Sequence, residues 1–337
     1  MFKLNLAPLK HGNMKALIQN FTTQLSEALE IGQHTTLTPS SKTFHNVLIT
    51  GMGGSGIGGT IISELASPKI PICINKSYDL PSWVNENTLV IGSTYSGNTE
   101  ETISVIDQAL EANAEIAFIT SGGKAKEIVD QYNLNCIIVG GGNPPRSMLA
   151  YSLVSLMFLM NHYGVTQLDI NREISSAISL LDSDESNIIS ESRSLAEKLE
   201  NTIPVLYSAF GYEGAATRFR QQINENSKML CWHHTIPEMN HNELVGWAGG
   251  DNKFSAVFLR NSDDSLKNQK RIEINKEIIA KYTDKIFEIW GKGDTKISRT
   301  LYHIHFEDWV SLHLSEINDV DVVEVKVIDY LKSELAK

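Results

Sequence analysis

Cysteine is scarce in this chain: Cys73, Cys136 and Cys231 are the only three among 337 residues. They lie far apart, are odd in number and form no CxxC pair. That excludes a disulfide framework and a cysteine-based zinc site, and it points to a reducing cytoplasm. Long apolar runs are missing too. The densest stretch, residues 149–160, contains Ser152 and Ser155 and falls short of the roughly 20 residues a membrane-spanning helix needs, so it reads as a buried helix. The opening MFKLNLAPLKHGN has no basic segment followed by an apolar core and a cleavage site, so no signal peptide is expected. Positive charge is in deficit. Lys and Arg number 29 against 40 Asp and Glu, a formal net charge of −11. With no basic stripe to oppose that field, neither nucleic acid nor a membrane is expected as a partner. The same field repels phosphorylated small molecules at long range. Any phosphate site must therefore be local, built from backbone N–H groups, hydroxyls and one or two cations.

What remains is the composition of an ordinary globular protein, 42% hydrophobic and 20% charged, long enough for two domains. Residues 14–31 carry Ala16, Leu17, Phe21, Leu25 and Leu29 near helical spacing and read as a lead-in helix. Short apolar strands follow at 46–50, 70–75, 88–93, 114–120 and 135–139. They alternate with helical patterns at 57–66, at 100–112 and from 124 to about 132, and most of the strands run into glycine or hydroxyl turns. Strand, turn and helix repeated in this way predict parallel βαβ units and a doubly wound α/β sheet. A polar, helical stretch over 169–201 reads as a connection between domains. Strands at 203–210, 254–259 and 285–290 then alternate with helices over 213–223 and from 300 onward. A final helix occupies at least the second half of 322–335. The expected domains are 1–165 and 166–337, both of the doubly wound class.

Two turns carry the chemistry. The first, Gly51-Met52-Gly53-Gly54-Ser55-Gly56-Ile57-Gly58-Gly59, follows a strand and opens a helix. Its glycines let the backbone come close to a ligand, and a helix N-terminus with its free N–H groups suits an anion. Ser55 adds a hydroxyl. A dinucleotide site competes, but it needs an acidic residue at the end of the next strand, and that strand ends Ile74-Asn75-Lys76 with Asp79 beyond. The second turn, Ser93-Thr94-Tyr95-Ser96-Gly97-Asn98-Thr99-Glu100-Glu101-Thr102, offers the hydroxyls of Thr94, Ser96 and Thr99 beside another helix start. The alternative reading is a ligand-free helix cap made by Asn98 with Glu101.

Together the two turns resemble the sugar isomerase (SIS) domain. The second half sharpens the resemblance. Asn224-Glu225-Asn226-Ser227-Lys228, the run Glu238 to Trp247 (EMNHNELVGW), Gly142-Asn143-Pro144-Pro145-Arg146 and Ile328-Asp329-Tyr330-Leu331-Lys332 are similar to the bifunctional phosphoglucose/phosphomannose isomerases of bacteria and archaea, in order and over nearly the whole chain. The resemblance implies an aldose–ketose isomerase acting on hexose 6-phosphates through a cis-enediol(ate), with no metal and no organic cofactor. It implies phosphate binding by Gly54, Ser55, Thr94, Ser96 and Thr99. Glu225 would be the base, Arg146 the oxyanion partner, His241 the ring-opening histidine and Lys332 its helper, with Lys326 the substitute if the C-terminal register shifts. It further implies a homodimer in which His241 enters the neighbouring subunit's site.

From the residues alone each assignment has a plainer alternative: a solvated glutamate at a helix end, a surface arginine, a loop histidine, a lysine on a terminal helix. Trp232 and Trp247, flanking the His241 loop, suit either an interface or packing within one subunit. His233, His234 and His241 lie near Glu238 and Glu243, but their spacing matches no helical metal pair, so no metal is expected. One departure from the family stands out. It carries a threonine near the C-terminal segment that makes room for the mannose epimer, whereas the run here is Asp321-Val322-Val323-Glu324. The resemblance thus implies glucose 6-phosphate more firmly than mannose 6-phosphate. Two rivals remain, a non-catalytic sugar-phosphate sensor and an amino-sugar phosphate isomerase. The first usually carries a DNA-binding domain and the second an ammonia-handling one, and neither is found in the sequence.

Overall fold

The computed structural model describes residues 14–65 and 68–335. The leading segment on which the signal-peptide expectation rests lies outside them, as does Ala66, the expected end of one helix. In chain order the elements are α1 (Met14–Gln19), α2 (Phe21–His34), β1 (Asn46–Thr50), α3 (Gly53–Leu65), β2 (Ile72–Asn75), β3 (Thr88–Thr94), α4 (Glu100–Glu111), β4 (Glu115–Thr120), α5 (Gly123–Tyr132), β5 (Asn135–Ile138) and α6 (Leu149–His162). They continue with α7 (Ile170–Leu199), β6 (Ile203–Ala209), α8 (Glu213–Ser227), β7 (Trp232–Ile236), α9 (Glu243–Gly246), β8 (Phe254–Arg260), α10 (Leu266–Ile279), β9 (Ile286–Trp290), α11 (Lys296–Ile317) and α12 (Lys326–Leu335). The described residues divide into two compact units. The first holds 19–65, 68–182 and 293–301; the second holds 14–18, 183–292 and 302–335. The chain passes from one to the other inside α7, between Asp182 and Ser183, where the sequence placed a boundary at 165/166. No helix among the described residues is long and apolar enough to cross a membrane.

In the first unit five parallel strands run in the order β2-β1-β3-β4-β5. The order reverses at β1, so successive crossovers leave toward opposite faces. They open a crevice beyond the C-terminal ends of β1 and β3, where doubly wound sheets bind ligands. Every residue of β3 is buried, as expected of a parallel strand covered on both faces. Leu48, Val90 and Phe118 of the sheet pack with Ile106 of α4 and Val129 of α5.

The second unit has four parallel strands in the order β7-β6-β8-β9. Tyr207, Ala256 and Phe258 form its core with Met239, Trp247, Ile272 and Ile279. Helix α8 has two buried stripes. Ala215, Phe219 and Ile223 are apolar; Arg218, Gln222 and Asn226, also four residues apart, are polar yet nearly inaccessible. The polar stripe faces α11. Arg218 Nη2 donates to both carboxylate oxygens of Asp308 at 3.0 and 2.7 Å, Gln222 Nε2 to Asp308 at 2.7 Å, and Asn226 Nδ2 to Ser311 Oγ at 3.0 Å.

Next to Asp308, Glu307 is fully buried, and neither of its carboxylate oxygens has a hydrogen-bond partner. Burial pushes its carboxyl well above the usual carboxylate range. Asp308 adds to this and Arg218 opposes it. Between the ordinary carboxylate value and this raised one, the folded chain holds a proton that the unfolded chain has lost, so stability falls as pH rises through that window. Each unit of upward displacement corresponds to about 1.4 kcal/mol at a pH above both values. Glu307→Gln is therefore expected to raise the melting temperature at pH 8 and to change it far less near pH 4. Thermal unfolding at both pH values checks this, and equal shifts would contradict it.

Candidate active site

The glycine turn after β1 and the hydroxyl turn after β3 flank the crevice of the first unit, and they are tied together. Tyr95 N–H donates to Ser55 Oγ at 3.0 Å, and Ser93 Oγ–H donates to the Ser55 carbonyl at 3.1 Å. Gly54 brings in a third segment. A Cβ there would lie 3.0 Å from the Pro145 carbonyl oxygen and 3.1 Å from the Arg146 backbone, so only glycine lets the short 3-10 turn Pro145–Ser147 approach. Arg146, nearly inaccessible, is thereby held against the turn. Gly54, Ser55, Ser93, Tyr95, Pro145 and Met148 share a small void of about 10 Å3, room for about one water. Burial raises the Tyr95 phenol above its ordinary range, against the Asn143 N–H that donates to it at 3.2 Å. The phenol therefore stays protonated at working pH.

The three hydroxyls of the second turn are differently placed. Those of Thr94 and Thr99 lie 2.9 Å apart, with Thr94 fully buried. Ser96 is exposed at the tip, and its Oγ accepts the Asn98 N–H at 3.3 Å. The ligand-free cap is not formed. The residue before α4 is Thr99, without a side-chain cap bond, and Asn98 Oδ1 accepts from Lys124 N–H at 3.0 Å. Gly97 is at φ 73°, and a Cβ on it would fall 1.8 Å from the Gly122 carbonyl oxygen.

In the second unit Glu225, His241 and Lys332 sit on three separate elements. Glu225 is half-buried in the last turn of α8, which runs to Ser227, beyond the expected 223. Its neighbours are fixed. Besides the bond from Asn226, Ser227 Oγ–H donates to the Ser311 carbonyl at 2.7 Å, and Asn318 Nδ2 donates to the Ser227 carbonyl at 3.1 Å. Lys228 ends the helix in the left-handed conformation. His241 is exposed at the end of the 3-10 turn Glu238–His241. Lys332 and Lys326 are both exposed on α12, a helix with no buried residue.

The histidines near His241 do not converge. Adjacent residues of β7 point to opposite faces. His233 Nε2 lies 2.9 Å from Thr217 Oγ1 and its Nδ1 accepts from Arg220, whereas His234 Nδ1 lies 2.9 Å from Glu243. Trp247 is buried within its own subunit, and Trp232 is partly exposed. Tyr207, His234 and Glu243 form a cluster; the sequence reading set His234 and Glu243 near each other only as metal candidates and missed Tyr207. The period-two pairing of Val205 and Tyr207 with Trp232 and His234 is the signal that places them on one sheet face.

Residues 188–335 match the family model described as the bacterial phospho-glucose isomerase C-terminal SIS domain. A bifunctional phosphoglucose/phosphomannose isomerase from Caldicellulosiruptor bescii is 34% identical over 95% of this chain and 98% of its own length. The chain belongs to that family. A second member, from Thermoplasma acidophilum, is 35% identical over 87% of this chain and 91% of its own. The fold is shared more widely. The C-terminal domain of glucosamine-fructose-6-phosphate aminotransferase from Francisella tularensis superimposes with a TM-score of 0.74 at 14% identity, over 92% of this chain and 98% of that one.

In this member of the bifunctional isomerase family, the hydroxyl turn depends on Gly97. A left-handed alanine costs about 1–2 kcal/mol before any clash is counted. Gly97→Ala is expected to lower the melting temperature by several degrees and to raise the Michaelis constant for a hexose 6-phosphate more than it lowers turnover. Thermal unfolding and steady-state kinetics check both, and an unchanged Michaelis constant would separate this turn from phosphate binding.

Proposed function

We propose that this chain is an aldose–ketose isomerase that interconverts glucose 6-phosphate, and with it mannose 6-phosphate, with fructose 6-phosphate by proton transfer through a cis-enediol(ate). The observation that carries the reading is family membership over nearly the full length of the chain, together with the glycine and hydroxyl turns at the sheet's switch point. Phosphate is bound by Gly54, Ser55, Thr94, Ser96 and Thr99. Backbone N–H groups and neutral hydroxyls suit a dianion in a protein whose net charge is −11. Glu225 takes the proton from C1 or C2, and Arg146, charged at any working pH, faces the oxygen on which negative charge develops. His241 and Lys332 open the sugar ring. Proton transfer between adjacent carbons calls for no redox cofactor and no Lewis acid. The working form is a homodimer in which His241 enters the partner's site. A cytoplasmic location fits the thiols, all three of them free, with Cys136 and Cys231 pushed up to about 12 by burial and so protonated.

A coupled assay from fructose 6-phosphate that scores both aldose products tests the activity. Absence of either product in the presence of folded protein would overturn the corresponding half of the proposal. The shared site has its own test. Glu225→Gln and His241→Ala are each expected to lose on the order of 10²–10⁴ in turnover. After subunit exchange between the two, each mixed dimer regains one complete site, so activity returns. No return despite proven exchange would mean that each subunit completes its own site.

A further inference from the structure

The loop that carries His241 is held at two points. On one side Asn240 Nδ2 donates to Asn275 Oδ1 of α10 at 2.6 Å, and Met239 is fully buried in the core. On the other, two residues past His241, the Glu243 side chain reaches back to the sheet. Its Oε1 accepts from the Tyr207 hydroxyl at 2.5 Å and from Trp232 Nε1 at 3.4 Å, and its Oε2 lies 2.9 Å from His234 Nδ1. Tyr207 is itself fixed. It is fully buried, stacks on Phe258 with ring centroids 5.1 Å apart, and accepts from Trp247 Nε1 at 2.8 Å. Burial, with the Glu243 carboxylate close by, keeps its phenol far above the usual range, so it remains a donor at any working pH.

Packing holds the segment at Met239 and Trp247, and the Glu243 tie acts between them. An open pocket of about 200 Å3 lies beside it, lined by Val205, Trp232, Trp247, Phe254 and Glu243. In the helix α9 that follows His241, Val245 is exposed, whereas Leu244 packs against the core and Trp247, just beyond, is buried in it. Where apolar side chains leave such a space, a charge-assisted bond to a buried phenol sets the loop's position more sharply than surface contacts can. Asn242, between the two residues, links them locally. It caps Glu243 N–H through Oδ1 at 2.6 Å and donates to Glu238 Oε1 at 2.9 Å.

We infer that Glu243, held by Tyr207 and His234, is the positioning residue that fixes His241 for ring opening. This rests on the reading of His241 given above. Glu243 touches no substrate atom. It acts by removing freedom from the histidine two residues away, and misplacing a catalytic group by about 1 Å costs up to 10²-fold in rate.

The test uses Glu243→Gln and Tyr207→Phe, each alone and combined with His241→Ala, in the full-length protein. Ring opening is read separately from isomerisation, as the catalysed exchange between the α and β furanose forms of fructose 6-phosphate seen by NMR. Each single variant is expected to lower both isomerisation and anomer exchange by about 10- to 100-fold, with the Michaelis constant and melting temperature little changed. Added to His241→Ala, neither is expected to cost more, because the two residues act as one unit. Glu225→Gln, by contrast, should lose isomerisation and keep anomer exchange. Losses that add to that of His241→Ala, or wild-type anomer exchange in both single variants, would overturn the inference while leaving His241 in its role. Full anomer exchange in His241→Ala would overturn that role, and the inference with it. If Tyr207→Phe fails to fold, Glu243→Gln, at a half-buried position, decides alone.

Discussion

The ion pair between Arg218 and Asp308 fixes the helix on which the proposed chemistry of the second unit depends. Both side chains are almost fully buried, and the guanidinium meets both carboxylate oxygens. Gln222 and Asn226 extend the contact along the same stripe of α8, so that Glu225, at the edge of that stripe, stands on a helix held to α11 at several points. A buried pair of this kind adds little net stability compared with apolar side chains of similar volume, but removing one partner alone costs about 3–5 kcal/mol. Its value here lies in geometry. A leucine stripe would tolerate small shifts of register that an ion pair touching both carboxylate oxygens and three further hydrogen bonds do not. The neighbouring Glu307, buried without a partner, shows that this layer of polar groups includes one that loosens the fold.

The first unit solves a different problem. A protein with 40 acidic and 29 basic residues cannot draw in a phosphate by its overall field. The turns at the crevice between β1 and β3 instead carry backbone N–H groups at the start of a helix, the hydroxyls of Ser55, Thr94, Ser96 and Thr99, and one buried arginine held against them. Close backbone contact at Gly54 brings that arginine in. The second unit has a crevice at the corresponding place, where β6 is flanked by β7 and β8. There the turn after β8 carries Asp263, which accepts from the Tyr212 hydroxyl at 2.8 Å, and Asp264, which accepts from Asn261 N–H at 2.9 Å. Two carboxylates repel a dianion. On the proposed reading, phosphate is bound in only one of the two copies of this architecture.

Much of this was legible in the sequence because parallel strands buried on both faces read as short apolar runs, and the turns after β1 and β3 combine glycine with hydroxyls in a way few other structures require. The elements that escaped reading are polar ones. Strand β7, Trp-His-His-Thr-Ile, lies at a sheet edge and carries two histidines, one for each face. Helix α10 buries little beyond Ile272, Asn275 and Ile279, too sparse a stripe to stand out. The lead-in segment divides at Asn20 into α1 and α2, a break with no glycine or proline to announce it. The polar stripe of α8 was hidden for the same reason, since arginine, glutamine and asparagine at helical spacing look like a solvated face until their partners on α11, some 80 to 90 positions away, are known. The roles proposed for Glu225, His241 and Lys332 rest on resemblance, because composition and spacing do not distinguish a catalytic glutamate at a helix end from a solvated one.

Incubation of fructose 6-phosphate with the purified protein in deuterium oxide, followed by NMR, is the most direct measurement of the central claim. Isomerisation by proton transfer is expected to give hexose 6-phosphates that carry deuterium at C2, with exchange into C1 of the remaining fructose 6-phosphate, and to do so without added nucleotide. Absence of any aldose product, or aldose that stays free of deuterium after complete equilibration as a hydride shift requires, would contradict it.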